Sequence, residues 1–233
     1  MIPKLIHYVW LGGEKNNIAK RAIQTWKRRA PEYQLIEWSE ENIPANSNPF
    51  LKKALQDHNY AFASDYIRLL VLANNGGIYL DTDMFLLSSP TKIIENRDLV
   101  FGIQDEDIIF SSAFIAASKN NPFVKKALSL YDSLQYKNDL DPNTVMLSKL
   151  AFEVYNFDHS DEIQEREDGR VVAYSSNYLL QPSFKSVALH IGEKSWASHT
   201  KHDEIRIKLR QKITNRVEAG VFSVANEIGR RIL

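Results

Sequence analysis

The chain has 233 residues, of which 44% are hydrophobic and 25% charged, as is usual for a globular protein with a substantial core. Its 29 basic residues equal its 29 acidic residues, and this balance argues against a nucleic-acid-binding protein. The sequence contains no cysteine, which excludes disulfides, zinc–thiolate sites and cysteine nucleophiles.

Strand-like and helix-like segments alternate along most of the chain, and Ser160 to Gly169 reads as a charged loop. The first apolar run, from Leu5 to Leu11, ends at two glycines, which is typical of a buried strand in a parallel sheet. The alternation predicts an α/β fold with a mostly parallel central sheet flanked by helices. The predicted helices are 17–29, 48–57, 60–73, 121–136 and 147–157, and the predicted strands are 5–11, 33–38, 78–80, 99–103, 108–117, 170–174 and 187–191.

Two carboxylates follow a short apolar strand in the middle of the chain. Gly76 and Gly77 precede the strand 78–80, and Asp81 and Asp83 come directly after it. A bare Asp-x-Asp pair is often no more than a turn after a strand. Ligands of open α/β sheets bind at the carboxyl ends of strands, however, and two adjacent carboxylates there suit Mg²⁺ or Mn²⁺. Such a cation can bridge to a diphosphate and stabilise it as a leaving group.

The helix before this strand carries a second charged pair. Asp65 and Arg68 are three positions apart and share one face of the helix. Taken alone, they are a surface ion pair worth at most about 1 kcal/mol. In the functional interpretation, Asp65 accepts hydrogen bonds from sugar hydroxyls and Arg68 donates to sugar or phosphate.

Together these segments resemble the signature of glycosyltransferase family 32, whose sugar-binding region contains a DXD motif. The similar residues are Ser64-Asp65-Tyr66-Ile67-Arg68 and Gly76 to Asp83, with the opening Ile2 to Gly13. They cover roughly the first half of the chain, and their combination is highly specific. The family includes bacterial capsule and lipopolysaccharide enzymes and fungal mannosyltransferases, and the clostridial glucosylating toxins have a similar core.

The resemblance implies a GT-A type nucleotide-binding fold and a Mn²⁺ (or Mg²⁺) cofactor at the catalytic residues Asp81 and Asp83. It also implies that Trp10 lies beside the nucleotide base, although a tryptophan at this position could equally be part of the core. The residues expected to bind substrate are Val9, Trp10, Asp65, Arg68, Tyr79, Asp81, Lys194, Ser195 and Trp196.

The stretch His190 to Trp196 is similar to the closing segment of retaining transferases of family 8. That similarity implies His190 as a third metal ligand and Lys194 as a diphosphate contact, with Trp196 on a loop over the donor. A neutral imidazole is a reasonable ligand beside two carboxylates. A buried histidine and tryptophan near a turn is the plainer interpretation. His199 and His202 are lower-ranked alternatives to His190.

The implied function is the retaining transfer of a hexose from a nucleotide-diphosphate sugar, such as UDP-galactose, to a saccharide or lipid-linked saccharide acceptor in surface polysaccharide synthesis. No carboxylate nucleophile can be named, and Asp105, Glu106 and Asp107 are either acceptor-side residues or a solvated loop. Two alternatives stay open. A carboxylate-dependent hydrolase would need its carboxyl groups about 5 Å or more apart, and a non-catalytic sugar- or nucleotide-binding module would need no metal–diphosphate site.

The final segment, 201–233, is predicted to be a basic amphipathic helical appendage to a catalytic domain at 1–200. It has eight cations against four anions, and apolar residues recur at three- and four-residue steps. Gly220 and Gly229 are expected to weaken or split this helix. It either packs on the domain or rests on an anionic membrane leaflet. With no signal-peptide pattern and no membrane-spanning run, we expect a cytoplasmic protein, peripheral at the inner face of the membrane.

Overall fold

A computed structural model describes residues 1–45, 48–104, 110–137, 143–192 and 200–232. Nine strands and nine α-helices are assigned within these ranges. The strands are β1 (Leu5–Val9), β2 (Gln34–Trp38), β3 (Gly77–Leu80), β4 (Met84–Leu86), β5 (Leu99–Gly102), β6 (Ser111–Ala117), β7 (Gln164–Arg166), β8 (Val171–Tyr174) and β9 (Ala188–His190). The helices are α1 (Asn17–Arg29), α2 (Pro49–Gln56), α3 (Tyr60–Asn75), α4 (Thr91–Ile94), α5 (Pro122–Ser129), α6 (Asn143–Tyr155), α7 (Ser176–Leu179), α8 (Lys201–Arg210) and α9 (Arg216–Ile232).

The central sheet has seven strands in the order β2-β1-β3-β6-β5-β8-β7. Strand β1 pairs in parallel with both β2 and β3, and β5 pairs in parallel with β8. Strand β6 runs antiparallel to both β3 and β5. Strand β7 is antiparallel to β8. Five strands therefore point one way and two point the other, which confirms the predicted mostly parallel sheet flanked by helices.

Hydrophobic cores lie on both faces of this sheet. One core joins alternate sheet residues to α1, β4, α7 and β9, with Trp26 fully buried in it. The other joins the opposite side chains to α2, α3, α5 and α6, with Ile67 and Phe101 fully buried. Because successive strand residues point to opposite faces, a strand covered on both sides reads as a continuous apolar run, as β3 and β6 do.

Two glycines make the turn from α3 into β3. Gly76 and Gly77 have φ values of +67° and +107°, which side chains rarely tolerate. A Cβ at Gly77 would also lie 2.8 Å from the Leu5 carbonyl oxygen, and one at Gly76 would lie 2.5 Å from the Lys119 nitrogen. The pair lets β3 enter tightly between β1 and β6, and this fixes where the following carboxylates emerge.

The predicted charged loop at 160–169 contains a strand, so that prediction is wrong for Gln164–Arg166. This strand, β7, is short, polar and at the sheet edge, paired only with β8 among the described strands. Edge strands are often short and charged because this discourages pairing with other chains. Such a strand lacks the apolar alternation that would reveal it in the sequence.

The C-terminal segment is broken at 211–215 rather than at its glycines. Gly220 lies inside α9, where the ring of Phe184 comes so close that a Cβ would meet it at 2.2 Å. Ile207, Ile213 and Ala219 join the core on the α1 side of the sheet. Much of this segment therefore packs on the domain. None of the helices within the described residues is long and apolar enough to cross a membrane.

Candidate active site

A second, two-stranded sheet assembles the site. Strand β4 starts one residue after Asp83 and pairs antiparallel with β9, with Met84 opposite His190. The Ile191 amide donates to the Asp83 carbonyl oxygen at 3.0 Å. On the other side, the indole of Trp26 donates to the Met84 carbonyl oxygen at 2.7 Å. This register brings the predicted third ligand beside the carboxylates.

Asp81, Asp83 and His190 offer ligand atoms that all lie within 4.8 Å of one another. The Nε2 atom of His190 is 3.2 Å from Asp83 Oδ2, which also accepts a hydrogen bond from the Gly192 amide at 3.1 Å. Burial lowers the pKa of His190, but Asp83 outweighs it and the net shift is upward. Carboxylates favour Mg²⁺ or Mn²⁺, and a neutral imidazole is also a common ligand of divalent cations. This donor set fits a divalent cation.

Asp81 is held by its neighbours on one carboxylate oxygen. Arg68 and the Tyr79 hydroxyl both donate to Oδ1, each at 3.2 Å, which leaves the other oxygen for a cation. The Asp81 amide donates to the Ala113 carbonyl oxygen at 3.0 Å. Burial raises the pKa of Asp81, Arg68 opposes this rise, and Asp83 adds to it. A cation bound here would remove the repulsion between the two carboxylates.

Arg68 is buried, with 4% exposure, and is not a surface residue. Its Nη2 lies 3.2 Å from both Asp65 Oδ1 and Asp81 Oδ1, and its Nη1 donates to the Ser112 carbonyl oxygen at 3.0 Å. The guanidinium also lies over the Tyr79 ring, 4.8 Å from its centre. The Arg68 guanidinium is therefore the shared partner of one carboxylate from α3 and one from the end of β3.

Asp65 lies between the Arg68 guanidinium and a cavity. Burial raises its pKa to about 6, although Arg68 opposes the shift. The cavity, of about 380 Å³, opens beside α3 and is lined by Asp65 together with Phe62, Tyr131 and Asn143. Because Asp65 and Asp81 each lie 3.2 Å from the same guanidinium nitrogen, this cavity is close to the metal ligands.

The other predicted site residues are placed as follows. Val9 is 8% exposed and Tyr79 only 1%, so Tyr79 reaches the site through its bond to Asp81. Trp10 is partly exposed, and its indole donates to the Gly13 carbonyl oxygen at 2.8 Å. Several predicted residues lie outside the described ranges, and of His202 only the backbone, in α8, is described. The residues outside are Lys194, Ser195, Trp196, His199, Asp105, Glu106 and Asp107.

His7 contacts the glycine turn that precedes β3. This residue was not singled out from the sequence. It is fully buried in β1; its Nε2 lies 2.9 Å from the Gly76 carbonyl oxygen, and its Nδ1 accepts from the Trp38 indole at 3.1 Å. This pattern requires a neutral ring with its proton on Nε2. A histidine within an otherwise apolar strand is the only signal that the sequence offers for it.

We expect His7 to lower the stability of the folded state as the pH is reduced below about 6.5. Burial lowers its pKa below the ordinary 6.5, so the unfolded chain takes up the proton first. The contribution is complete above pH 6.5 and declines as pH drops towards the folded-state pKa. Melting temperatures from pH 7.5 to 5.0 in chelator should fall less steeply for His7→Gln than for the unaltered chain. Parallel slopes would contradict this expectation.

Comparison with known proteins agrees with this geometry. Residues 17–100 match the family described as glycosyltransferase sugar-binding region containing DXD motif. The chain therefore resembles glycosyltransferases with such a region over little more than a third of its length. Its resemblance to such enzymes, predicted from the residues around Asp65 and Asp81, is confirmed. The match runs from α1 into β5 and so includes Arg68 and both carboxylates of the candidate metal site, but it ends well before His190.

Solved structures of glycosyltransferases share the fold. The PaToxG glycosyltransferase superposes with a TM-score of 0.53 at 20% identity, over 65% of this chain and 68% of that one. The apo form of the glycosyltransferase GlyE from Streptococcus pneumoniae gives 0.50 at 9% identity, over 97% of this chain and 64% of that one. The predicted GT-A type fold is thereby confirmed.

One protein with a similar sequence is described as a toxin. Toxin Afp18 of Yersinia ruckeri is 37% identical over 91 residues, which make up 36% of this chain and 4% of the toxin. The chain therefore spans only a small fraction of this much longer relative.

Proposed function

We propose that the chain is a metal-dependent, retaining glycosyltransferase that moves a hexose from a nucleotide-diphosphate sugar, a uridine one such as UDP-galactose, to an acceptor hydroxyl. The cluster of Asp81 and Asp83, just after β3 and inside the matched sugar-binding region, with His190 from the end of β9, carries this proposal. A non-catalytic binding module would not need such a cluster at a strand end.

In this proposal the three clustered residues hold Mn²⁺ or Mg²⁺, which when bound supplies positive charge for the departing diphosphate. Asp65 accepts hydrogen bonds from the sugar hydroxyls, and Arg68 keeps Asp65 and Asp81 fixed and ionised. Val9 and Trp10, at the end of β1, border the nucleotide base. Lys194, Ser195 and Trp196 are proposed to contact the diphosphate and the donor.

The acceptor is proposed to be a saccharide, free or lipid-linked, in surface polysaccharide synthesis. A second candidate is favoured by the 37% identity to Toxin Afp18: the chain would then be the transferase segment of a toxin-like protein. The two candidates share the donor chemistry and differ only in the acceptor. Incubation with labelled donor and either oligosaccharides or a cell lysate would separate them.

A donor screen tests the proposed reaction. The purified protein is incubated with a panel of nucleotide sugars, with Mn²⁺ or with excess chelator, and the released nucleotide is measured. We expect release from a uridine donor only when metal is present. Full turnover in chelator would contradict metal dependence. Sugar binding without nucleotide release would favour a binding module, and cleavage of a simple glycoside would favour a hydrolase.

We further propose that residues 201–233 are appended to a catalytic domain at 1–200. In this proposal α9 makes a peripheral contact with an anionic membrane. Four apolar residues on one side of α9 are between 48% and 65% exposed, and Phe184 beside the helix is 57% exposed. Exposed basic residues, Lys185 next to Phe184 and Arg216 at the start of α9, accompany this surface, and near-surface cations add about 1 kcal/mol each on anionic lipid. The exposed α9 residues are Val217, Val221, Val224 and Ile228.

Replacing Val221 and Val224 together by serine should weaken binding to phosphatidylglycerol vesicles at low salt by about a hundredfold, because two buried valines at on the order of 1.5 kcal/mol each contribute about 3 kcal/mol. Vesicle sedimentation measures this. Val154→Ser, at a 41% exposed valine on α6, is the matched control. Truncation at Lys201 is a poorer test, since it would remove the buried Ile207 and Ala219. Unchanged sedimentation of the double variant would contradict the membrane contact.

A further inference from the structure

Two arginines of α8 lie close to the metal ligands. Arg210 is 7% exposed; it donates to the His190 carbonyl oxygen at 2.6 Å and to the side chain of Gln181. Arg206, one turn earlier, lies against Gly192, where its two terminal nitrogens would be 3.6 and 3.8 Å from a Cβ. Both guanidinium groups therefore face the end of β9 rather than the solvent side of the helix.

The path from Arg206 to the metal ligands is short. The Gly192 amide donates to Asp83 Oδ2 at 3.1 Å, and standard backbone dimensions then place the Arg206 guanidinium within about 9 Å of that carboxylate. Gly192 has a φ of +73° and no side chain, so nothing from this residue stands between them. A diphosphate held at the carboxylate cluster would therefore lie within reach of Arg206.

These arginines have hydrogen-bonding capacity that the described residues do not use. Arg206 Nη2 pairs with Asp203 Oδ1 at 3.1 Å, but within the described parts of the chain the buried Nε atoms of Arg206 and Arg210 have no hydrogen-bond partner. Buried unpaired donors and like charges one turn apart are both unfavourable, and a bound anion would relieve both.

We propose that Arg206 binds the diphosphate of the donor and of the released nucleotide, on the side of the site formed by α8. This inference rests on the proposed transferase function and adds a residue to it. The side chain is 33% exposed and so can reach a ligand. A guanidinium forks onto two phosphate oxygens with charge-assisted bonds, which suits a group that gains negative charge as it leaves. Arg210 holds the backbone of His190 beside it.

Titration calorimetry with saturating Mn²⁺ tests the assignment, using UDP, inorganic pyrophosphate and uridine as probes. For Arg206→Gln we expect UDP and pyrophosphate affinities to fall about 10- to 100-fold, as for loss of a charged hydrogen bond. The affinity for uridine and for Mn²⁺ alone should not change. Arg206→Lys should be intermediate because it keeps the charge but loses the fork. Lys208→Gln, an exposed cation of the same helix, is the matched control and should stay within twofold.

The outcomes separate this inference from the proposed function. If Arg206→Gln binds UDP as tightly as the unaltered protein, Arg206 is not a phosphate ligand, while the transferase proposal stands. An equal fall for uridine and UDP would likewise overturn the assignment, since it would indicate a structural effect. If the unaltered protein binds neither UDP nor pyrophosphate and releases no nucleotide from any donor, both proposals fail.

Discussion

Asp83→Asn is expected to lower turnover by about three orders of magnitude while the fold stays intact. The Asp83 carboxylate belongs to the cluster with Asp81 and His190, and removing its charge weakens the site for a divalent cation whose electrostatic effect is worth several kcal/mol. The backbone role of the residue survives, because Ile191 donates to its carbonyl oxygen. An asparagine oxygen can still accept from the Gly192 amide.

Three measurements check this expectation: nucleotide release with saturating Mn²⁺, Mn²⁺ affinity by electron paramagnetic resonance, and the thermal melt without metal. The variant should lose metal affinity and rate together and melt normally. Asp168→Asn, at an exposed aspartate of a turn, is the matched control and should behave like the unaltered protein. A variant that retains most of its rate would place the catalytic metal elsewhere.

Arg68→Met is expected to cost about 3–5 kcal/mol of unfolding free energy as well as activity. Burial disfavours the guanidinium charge, yet Asp81, Tyr79 and Asp65 together raise the pKa of Arg68 above its usual range. Methionine fills much of the space but leaves two carboxylates without their shared partner, and breaking a buried pair in this way is strongly destabilising. The Ser112 carbonyl oxygen also loses its donor.

Denaturant titration at pH 7 and pH 5, in chelator, tests the physical cause. Without Arg68 the folded-state pKa values of Asp65 and Asp81 rise further above their unfolded values, so the folded state takes up protons as pH falls. The stability deficit should therefore shrink at pH 5. Arg28→Met, at an exposed arginine of α1, should have little effect at either pH. A deficit below about 1 kcal/mol at pH 7 would mean that Arg68 is an ordinary surface pair.

Elements with strong local signals are predicted well from the sequence. Helix α1 is predicted with both ends correct, because Asn16 caps its first turn and Pro31 follows its last. Strand β3 and the two glycines before it are equally clear. Asp81 and Asp83 follow from that strand, since a residue directly after a buried parallel strand must emerge at its carboxyl end.

Long-range contacts are what the sequence does not reveal. Strand β4 has only three residues, and without it nothing indicates why His190 should lie beside Asp83. Arg68 looks like half of a surface pair because its i,i+3 spacing is visible, whereas its burial against β6 is not. The arginines of α8 read as part of a basic stripe, although Arg210 points inward onto β9.

The two-stranded sheet of β4 and β9 also sets when the site can form during protein synthesis. Asp83 and Gly192 meet although they are 109 positions apart, so the carboxylates leave the ribosome long before the segment that completes their surroundings. A partly made chain carries the acidic pair without the histidine and without the arginines of α8. Under the proposed function, a growing chain that has not yet reached β9 and α8 would lack the complete site and would not act on nucleotide sugars.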